Sequence, residues 1–420
     1  MKRIFISLFF FAFMWTAAGA DVSPELLFVR WPANPDAVWY SFRIVPVTQY
    51  FGRKEMRPPI YEDGHVFRDS VMIEKEITDS YDGPGILCCQ VKAIGLDGQS
   101  ISAYSAPVPM EKAAQEMERY APKIRVKYHE QNGTVLLYPA YSFVKIPHAV
   151  SYEVEITDEE PENPDGCEPS VHRISQGIVT IPELFDELPR QGTVWWRVRG
   201  LDENGGPVGV WSEAEKIVND PAENWETGIL GDSISHGGGR MSYSPADWPY
   251  NYAYYLNFPT INMSRSGDKT DDLLRRFDAD VLPFHVRSLL IMGGPNNRRC
   301  GGTAKEVISD LKALQEKCRA SCLEPVLRTM PPIAPNRIWK YYHQPTAENW
   351  KAEFDKVNGW IRTQTHIDTA APFAMYEDMP ENFAADGLHP DKEAKEKMGK
   401  IINEKFPEIR KKISETKIQK

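Results

Sequence analysis

The chain has 420 residues, of which 42% are hydrophobic and 26% are charged. This length predicts two or three domains, and this composition excludes a disordered chain. The formal net charge is −10, and no long basic run precedes the C-terminal tail. We therefore expect no nucleic-acid partner, because that kind of binding depends on the neutralisation of phosphates.

The N-terminus has the pattern of a secretory signal. Lys2 and Arg3 precede an apolar run at residues 4–15, and small residues follow at 18–20. This pattern predicts a signal peptide at residues 1–20 that is removed from the mature protein. The apolar run is too short to span a bilayer, so we expect an exported protein, periplasmic or secreted, without a membrane anchor in its mature form.

A weak internal repeat follows the signal sequence. Residues 28–45 are echoed by residues 143–156, and residues 86–107 are echoed by residues 194–214. Both members of the second pair carry Gly-Leu-Asp, then a turn with glycine, then an aromatic residue followed by serine. Alternation of polar and apolar residues, as at 40–44, predicts half-buried strands.

This pattern resembles fibronectin type III modules, which place an early Trp, a central Tyr and a late aromatic–serine pair in such strands. The resemblance implies two all-β sandwich domains, at residues 21–115 and 116–219, that either bind glycan or act as spacers. In the second copy Ile146 stands where the first copy has Trp31. A charged stretch at 111–120 predicts a helix between the copies.

A different pattern begins at residue 220, where short apolar runs alternate with amphipathic stretches. Alternating strands and helices predict an α/β domain of three layers, with a central parallel sheet, at residues 220–410 and a basic tail at 411–420. Reactive groups in such domains collect at the carboxyl ends of the strands. The predicted strands are 227–230, 288–292 and 325–330, and the predicted helices are 304–320, 350–361 and 394–406.

The stretch GDSISHGGGR, residues 231–240, lies at one such strand end. A phosphate-binding loop is excluded, because His236 stands where Gly-Lys-Ser/Thr would begin. The GxSxG turn of another hydrolase class is excluded, because Ser235 occupies the position of its second glycine. What is left is Ser233 in a strand-to-helix turn, where free backbone N–H groups favour an oxyanion.

A serine nucleophile needs a base, and the base needs a group that orients it. Asp386 and His389 lie three positions apart in AADGLHP, so the carboxylate can reach one ring nitrogen and leave the other for Ser233. Gly267 and Asn296 lie in two further polar loops, each after a short apolar stretch.

These motifs together resemble the SGNH, or GDSL-type, hydrolase family, whose four blocks occur in order between residues 225 and 408. The resemblance implies that Ser233 is the nucleophile, that His389 is the base and that Asp386 holds the tautomer of the histidine. It also implies an oxyanion hole formed by the backbone amides of Ser233 and Gly267 and by the side chain of Asn296, and no metal or cofactor. The family usually has aspartate after this asparagine, where the chain has Asn297.

Three residues near the motifs are candidate substrate contacts. His236 either contacts substrate or caps a turn. Trp248 either stacks on a sugar ring or packs in the core, and Arg298 either meets an acidic sugar or lies in a solvated loop.

The substrate follows from the resemblance and from the expected export. We expect a serine esterase that removes O-acetyl groups from a polysaccharide, so that its partner is an acylated carbohydrate or another ester. The alternatives are a lipid or short-chain acyl esterase, a thioesterase, or a non-catalytic glycan-binding protein with a vestigial hydrolase domain. The chain also has six cysteines, which predict buried thiols or a disulfide within the last domain.

Overall fold

The computed structural model describes residues 25–223, 225–238 and 244–418, without the side chains of Tyr50, Arg298 and residues 412–418. The predicted signal peptide lies outside the described residues, as do Gly239 and Arg240 of GDSISHGGGR. Within the described ranges, no helix has the length and apolar character needed to cross a membrane.

Residues 26–117, the first β region, form two antiparallel sheets. The strands are β1 (Leu26–Arg30), β2 (Trp39–Tyr50), β3 (Arg53–Met56), β4 (Tyr61–Phe67), β5 (Ser70–Glu74), β6 (Ile86–Ile94), β7 (Val108–Pro109) and β8 (Ala114–Met117), with helices α1 (Glu76–Asp79) and α2 (Met110–Ala113). One sheet has the order β5-β1-β8 and the other β3-β2-β6-β7, with β4 also paired to β2. Leu27 and Val29 of one sheet pack against Phe42 and Ile44 of the other.

The helix predicted at 111–120 is wrong for most of its length. Helix α2 ends at Ala113, and the next four residues are strand β8. Strand β8 pairs with β1, where Ala114 lies opposite Val29 and Met117 opposite Leu26. These long-range ladder bonds outweigh the local helical propensity of the charged stretch.

Residues 123–219, the second β region, again form two antiparallel sheets. The strands are β9 (Lys123–Ile124), β10 (Ala140–Val144), β11 (Ser151–Thr157), β12 (Arg173–Val179), β13 (Glu183–Phe185), β14 (Gly192–Leu201), β15 (Pro207–Val208) and β16 (Glu215–Asn219). One sheet has the order β13-β10-β9 and the other β12-β11-β14-β15, with β16 paired to β14. The N-terminal half is thus rich in antiparallel sheets, and its resemblance to fibronectin type III modules stays a prediction.

The last region has the predicted parallel sheet with helices. Its five strands have the order β18-β17-β19-β20-β21, and all of them are parallel. The elements are β17 (Thr227–Gly231), α3 (Ser233–His236), β18 (Ile261–Asn262), α4 (Thr270–Asp280), β19 (Ser288–Met292), α5 (Pro295–Arg299), α6 (Ala304–Ala320), β20 (Glu324–Arg328), α7 (Pro335–Tyr342), α8 (Trp350–Ile361), β21 (His366–Ile367) and α9 (Lys392–Ile418), with short 3₁₀ turns at Trp248–Tyr250, Tyr252–Tyr255, Leu282–Phe284 and Ala371–Phe373.

The last helix, α9, is longer than the predicted 394–406. It begins at Lys392 and continues through Pro407 into the basic tail. A proline inside a helix costs a hydrogen bond and usually marks an end, but α9 continues past Pro407. Ala394, Met398, Ile402 and Phe406 form the buried stripe that holds the first part of the helix.

The second β region covers one edge of the parallel sheet with residues 135–138, which we call the edge segment. The N–H of Leu137 donates to the carbonyl of Asn262 in β18 at 2.8 Å, and the N–H of Asn262 donates to the carbonyl of Val135 at 2.9 Å. Val135, Leu137 and Tyr138 belong to the apolar core of the last region. The edge segment therefore acts as a further strand beside β18 and removes an exposed sheet edge.

The disulfide considered for the last region does not form. Cys300 and Cys318 carry free thiols, the first exposed and the second buried. Burial raises the pKa of the Cys318 thiol to about 12, as expected for an inert core cysteine.

Candidate active site

The sheet places Ser233 at the carboxyl end of its central strands. Strand β17 ends at Gly231, and α3 begins two residues later at Ser233. Asp232 caps this short helix, because its Oδ1 accepts the N–H of Ile234 at 3.0 Å. A Cβ at Gly231 would lie 2.5 Å from the carbonyl oxygen of Met292, so the tight strand exit requires glycine.

One row of hydrogen bonds connects Ser233 to His389 and His389 to Asp386. The Oγ of Ser233 lies 3.0 Å from Nε2 of His389, although the two residues are 156 positions apart. The Nδ1 of His389 lies 2.8 Å from Oδ2 of Asp386. All three side chains are largely buried, and Ser233 is 9% exposed. This row is the geometry that a serine nucleophile, a histidine base and an orienting carboxylate require.

The carboxylate of Asp386 is held by four donors. Its Oδ1 accepts the backbone N–H groups of Leu388 at 2.7 Å and His389 at 2.8 Å. Its Oδ2 accepts the Tyr342 hydroxyl at 2.8 Å as well as the histidine ring. Burial opposes the charge, but the adjacent His389 and these bonds lower the pKa of Asp386 below its ordinary value. Asp386 is therefore an ionised acceptor that orients the ring of His389.

Gly267 and Asn296 follow the two strands that flank β17. Gly267 comes after β18, and its φ of +90° lies in the left-handed region that favours glycine. Asn296 comes after β19 and is 8% exposed. Its Nδ2 donates to the carbonyl of Asp268 at 2.9 Å, which fixes the amide plane. The two expected oxyanion donors thus lie on either side of the strand that leads to Ser233.

Asn297 stands where the resembled family has aspartate, and its side chain acts as a hydrogen-bond acceptor. Its Oδ1 accepts the N–H of Thr270, the first residue of α4, at 3.0 Å. A carboxylate oxygen accepts the same kind of bond, and a helix N-terminus favours either group. The loop after β19 therefore keeps its connection to α4 without the family's carboxylate.

Two buried cationic side chains, Lys395 and Arg328, donate hydrogen bonds to helix α3. The Nζ of Lys395 donates to the carbonyl of Ile234 at 2.5 Å, and Nη2 of Arg328 donates to Oγ of Ser235 at 2.9 Å. Burial lowers the pKa of Lys395 to about 7, against the opposing effect of Asp232. Burial also raises the pKa of Asp232 to about 6, against the N–H of Ile234.

His236 is placed in the interior, with both ring nitrogens bonded to the protein. Its Nδ1 accepts the N–H of Ser266 at 3.2 Å, so Nε2 carries the proton and donates to the carbonyl of Tyr138 at 2.7 Å. Burial lowers the pKa of His236 to about 4. Both nitrogens are used inside the protein, which disagrees with the predicted substrate contact: His236 ties α3 to the edge segment.

Trp248 is half-buried and lies in a short 3₁₀ turn at Trp248–Tyr250. It packs edge-on against Tyr128 of the second β region, with 5.4 Å between ring centroids. It also lines a cavity of about 300 Å³ with Arg68 and Arg125 from the two β regions. Arg298 lies in α5, and its side chain is outside the described part of the chain.

The sequence analysis missed four residues that contact this site: Tyr138, Arg328, Tyr342 and Lys395. Arg328 could have been found, because it is a charged residue inside the apolar run PVLRTM. The sequence indicates Lys395 less clearly, because it only adjoins the buried stripe of α9. Tyr138 and Tyr342 stand in no motif.

The arrangement suits acyl transfer. A hydroxyl beside an imidazole nitrogen, with amide donors on both flanks, fits the attack on an ester carbonyl. In the part of the chain that the structure describes, no group of three His, Cys, Asp or Glu side chains is arranged to hold a metal ion.

Comparison with protein families matches residues 229–397 to the GDSL-like Lipase/Acylhydrolase family. Among solved structures, a GDSL-like lipase from Bacteroides thetaiotaomicron is 17% identical, with 44% of this chain and 87% of that chain covered and a TM-score of 0.37. A lipase/acylhydrolase from Enterococcus faecalis is 22% identical, with 45% and 96% covered and a TM-score of 0.35. No curated protein matches the chain. The region at residues 229–397 is thus a GDSL-like lipase/acylhydrolase domain, and this family supports ester hydrolysis.

Proposed function

We propose that the protein is an exported serine esterase that removes O-acetyl groups from a polysaccharide. The observation that carries the catalytic part is the row from Ser233 to His389 to Asp386, with distances of 3.0 Å and 2.8 Å between the hydrogen-bonding atoms. The family match at residues 229–397 supports the ester-hydrolysing class. The predicted signal peptide supports export.

In the first step, Ser233 Oγ attacks the carbonyl carbon of the ester while Nε2 of His389 takes the hydroxyl proton. The ring then carries a positive charge, which the ionised Asp386 stabilises through Nδ1–H. The oxyanion that forms receives hydrogen bonds from the backbone N–H groups of Ser233 and Gly267 and from the amide of Asn296.

The second half of the reaction uses the same groups in reverse. His389 donates its proton to the leaving sugar oxygen, and the acyl group stays on Ser233. Water then gives a proton to His389 and attacks the acyl carbon. As the bond from that carbon to Ser233 Oγ breaks, His389 returns the proton to Oγ, so acetic acid leaves and the serine is restored. The proton and the electron pair return to their starting places, so the cycle requires no other reactant.

An exposed aromatic ring supports a carbohydrate substrate. Trp339 is 55% exposed and lies in α7, three residues before Tyr342. Residues three apart on a helix share a face, and Tyr342 bonds to Asp386. The tryptophan ring therefore offers an exposed apolar face to a sugar ring, on the helix that also supplies Tyr342.

Acetate release from a panel of acetylated polysaccharides, compared with hydrolysis of nitrophenyl esters of rising chain length, tests the proposal. We expect release from at least one polysaccharide and the fastest small-ester hydrolysis with acetate. Trp339→Ala should reduce the activity on polymer and leave that on nitrophenyl acetate, whereas Trp360→Ala is the control on another helix. A preference for long acyl chains, with no acetate released from polymer, would favour the lipid esterase instead.

A further inference from the structure

We propose that Tyr138, a residue of the second β region, is a positioning residue of the hydrolase site, and that it holds in place the loop at residues 263–269, which carries Gly267 and bonds to Asn296 and which we call the donor loop. This inference rests on the proposed function. It makes the second β region a part of the catalytic apparatus rather than a spacer.

The first link runs through the backbone of Tyr138. Its carbonyl accepts Nε2–H of His236, the last residue of the helix that begins with Ser233. The other nitrogen of the same ring accepts the N–H of Ser266, which directly precedes Gly267. One buried imidazole thus joins three pieces of chain, and its position is set by Tyr138.

The second link runs through the hydroxyl of Tyr138. This hydroxyl donates to Oδ2 of Asp280 at 2.6 Å, and the same carboxylate oxygen accepts Nη1 of Arg276 at 2.8 Å. The Nε of Arg276 donates to Oδ2 of Asp268 at 2.6 Å. Burial and Asp280 raise the pKa of Tyr138 above its ordinary value, so the hydroxyl stays a donor.

Asp268 connects this network to the oxyanion donors. It is the residue after Gly267, and its carbonyl accepts Nδ2 of Asn296 at 2.9 Å. A shift of Asp268 therefore moves both the Gly267 amide and the Asn296 amide. The network is buried, since Tyr138, Asp268 and Asp280 are each at most 3% exposed and Arg276 is 9% exposed. In such surroundings a missing bond is not replaced by bulk water.

The edge segment keeps Tyr138 where these links require it. Val135 and Leu137 exchange backbone bonds with Asn262, and Nδ2 of Asn262 donates to the carbonyl of Ser235 in α3 at 2.8 Å. The second β region thus reaches α3 through Asn262 as well as through His236. Loss of the hydroxyl contact should loosen the donor loop without removing the segment.

A neighbouring tyrosine gives a matched control. Tyr141 is also buried, and its hydroxyl donates at 2.7 Å to Asp186, which is paired with Arg190. This tyrosine–aspartate–arginine group lies wholly within the second β region. Tyr141→Phe therefore removes the same kind of bond as Tyr138→Phe, away from the donor loop.

The experiment measures kcat, KM and the melting temperature of both variants with nitrophenyl acetate. For Tyr138→Phe we expect kcat to fall about tenfold with KM little changed, which is less than the roughly hundredfold cost of a displacement of about 1 Å. Tyr141→Phe should keep the wild-type kcat, with a similar loss of melting temperature. Equal kcat values for the two variants would overturn the inference.

Two further variants separate positioning from general stability. Asp280→Asn breaks the charge pairing with Arg276 from the hydrolase side and should also lower kcat rather than raise KM. In an Asn296→Ala background, Tyr138→Phe should cost less than it does in the wild type, because one of the donors it positions is already gone. Fully additive losses would contradict action through that donor.

Measurements on the wild type and on Ser233→Ala distinguish a failure of the proposed function from a failure of the inference about Tyr138. If the wild type hydrolyses the ester and Ser233→Ala does not, the proposed function stands and the tyrosine variants decide the inference alone. If Ser233→Ala keeps the wild-type rate, both the proposed function and the inference are overturned.

Discussion

The hydroxyl of Tyr342 donates a 2.8 Å hydrogen bond to Oδ2 of Asp386, the same oxygen that faces Nδ1 of His389. Tyr342 is the last residue of α7 and lies 44 residues before the aspartate in the chain. The phenol thus helps to fix the carboxylate that orients the base.

Tyr342→Phe should lower kcat about tenfold, since a hydrogen bond to a charged group is worth roughly 1.5 kcal/mol and two backbone donors remain on Asp386. Steady-state kinetics with nitrophenyl acetate measures this loss. Tyr341→Phe, which changes the adjacent residue, is the matched control and should keep the wild-type kcat. Identical kinetics of the two variants would show that the bond to Asp386 has no catalytic effect.

His236 should make the free energy of unfolding depend on pH. Its folded-state pKa is lowered to about 4, so in the folded protein the ring stays neutral where the unfolded chain has already gained a proton. The stability that comes from the neutral ring is present above the unfolded pKa of about 6.5 and is lost as the pH falls through about 4, to a limit of roughly 3 kcal/mol.

Chemical denaturation at a series of pH values measures this effect. The free energy of unfolding of the wild type should fall more steeply between those two pH values than that of His236→Gln, whose side chain does not titrate. His285→Asn, at an exposed histidine, should follow the wild type. Parallel curves for the wild type and His236→Gln would contradict the assignment of a buried neutral ring.

Asn297→Asp should be tolerated, and Asn297→Ala should not. The aspartate keeps an acceptor for the N–H of Thr270 and adds a charge that favours a helix N-terminus. The alanine loses that acceptor, which should lower the free energy of unfolding by about 1 kcal/mol. Denaturant titration of the two variants gives the comparison, and a larger loss with aspartate than with alanine would contradict this account of the loop.

Residues 220–420 should not fold well alone. Removal of the second β region exposes the edge of β18 and takes Val135, Leu137 and Tyr138 from the core. We expect this fragment to be insoluble or to lack a cooperative melting transition. A longer fragment, from residue 118, keeps the edge segment and should retain ester hydrolysis. Full activity of the shorter fragment would show that the edge segment is dispensable.

The parts of the site that local sequence determines were predictable. Ser233, Gly267 and Asn296 each follow a short apolar stretch, and such stretches predict strands whose ends carry reactive groups. Asp386 and His389 are three residues apart, so the spacing itself indicates their contact. Helix α6 has the predicted bounds, because its apolar residues recur at helical spacing.

The supporting contacts were not predictable, because they join distant parts of the chain. The bond from His236 to Tyr138 spans 98 positions, and the bond from Lys395 to Ile234 spans 161. No periodicity or motif relates such residues, and only the packed fold brings them together. The same cause explains the helix predicted at 111–120, where pairing of β8 with β1 decides the conformation.

The central claim is that Ser233 is the nucleophile, and covalent trapping tests it most directly. The protein is treated with a fluorophosphonate, and the modified residue is located by mass spectrometry alongside residual activity on nitrophenyl acetate. We predict one adduct, on Ser233, that abolishes hydrolysis and that does not form in Ser233→Ala or in protein denatured beforehand. An adduct on another residue, or full hydrolysis by protein modified at Ser233, would contradict the account.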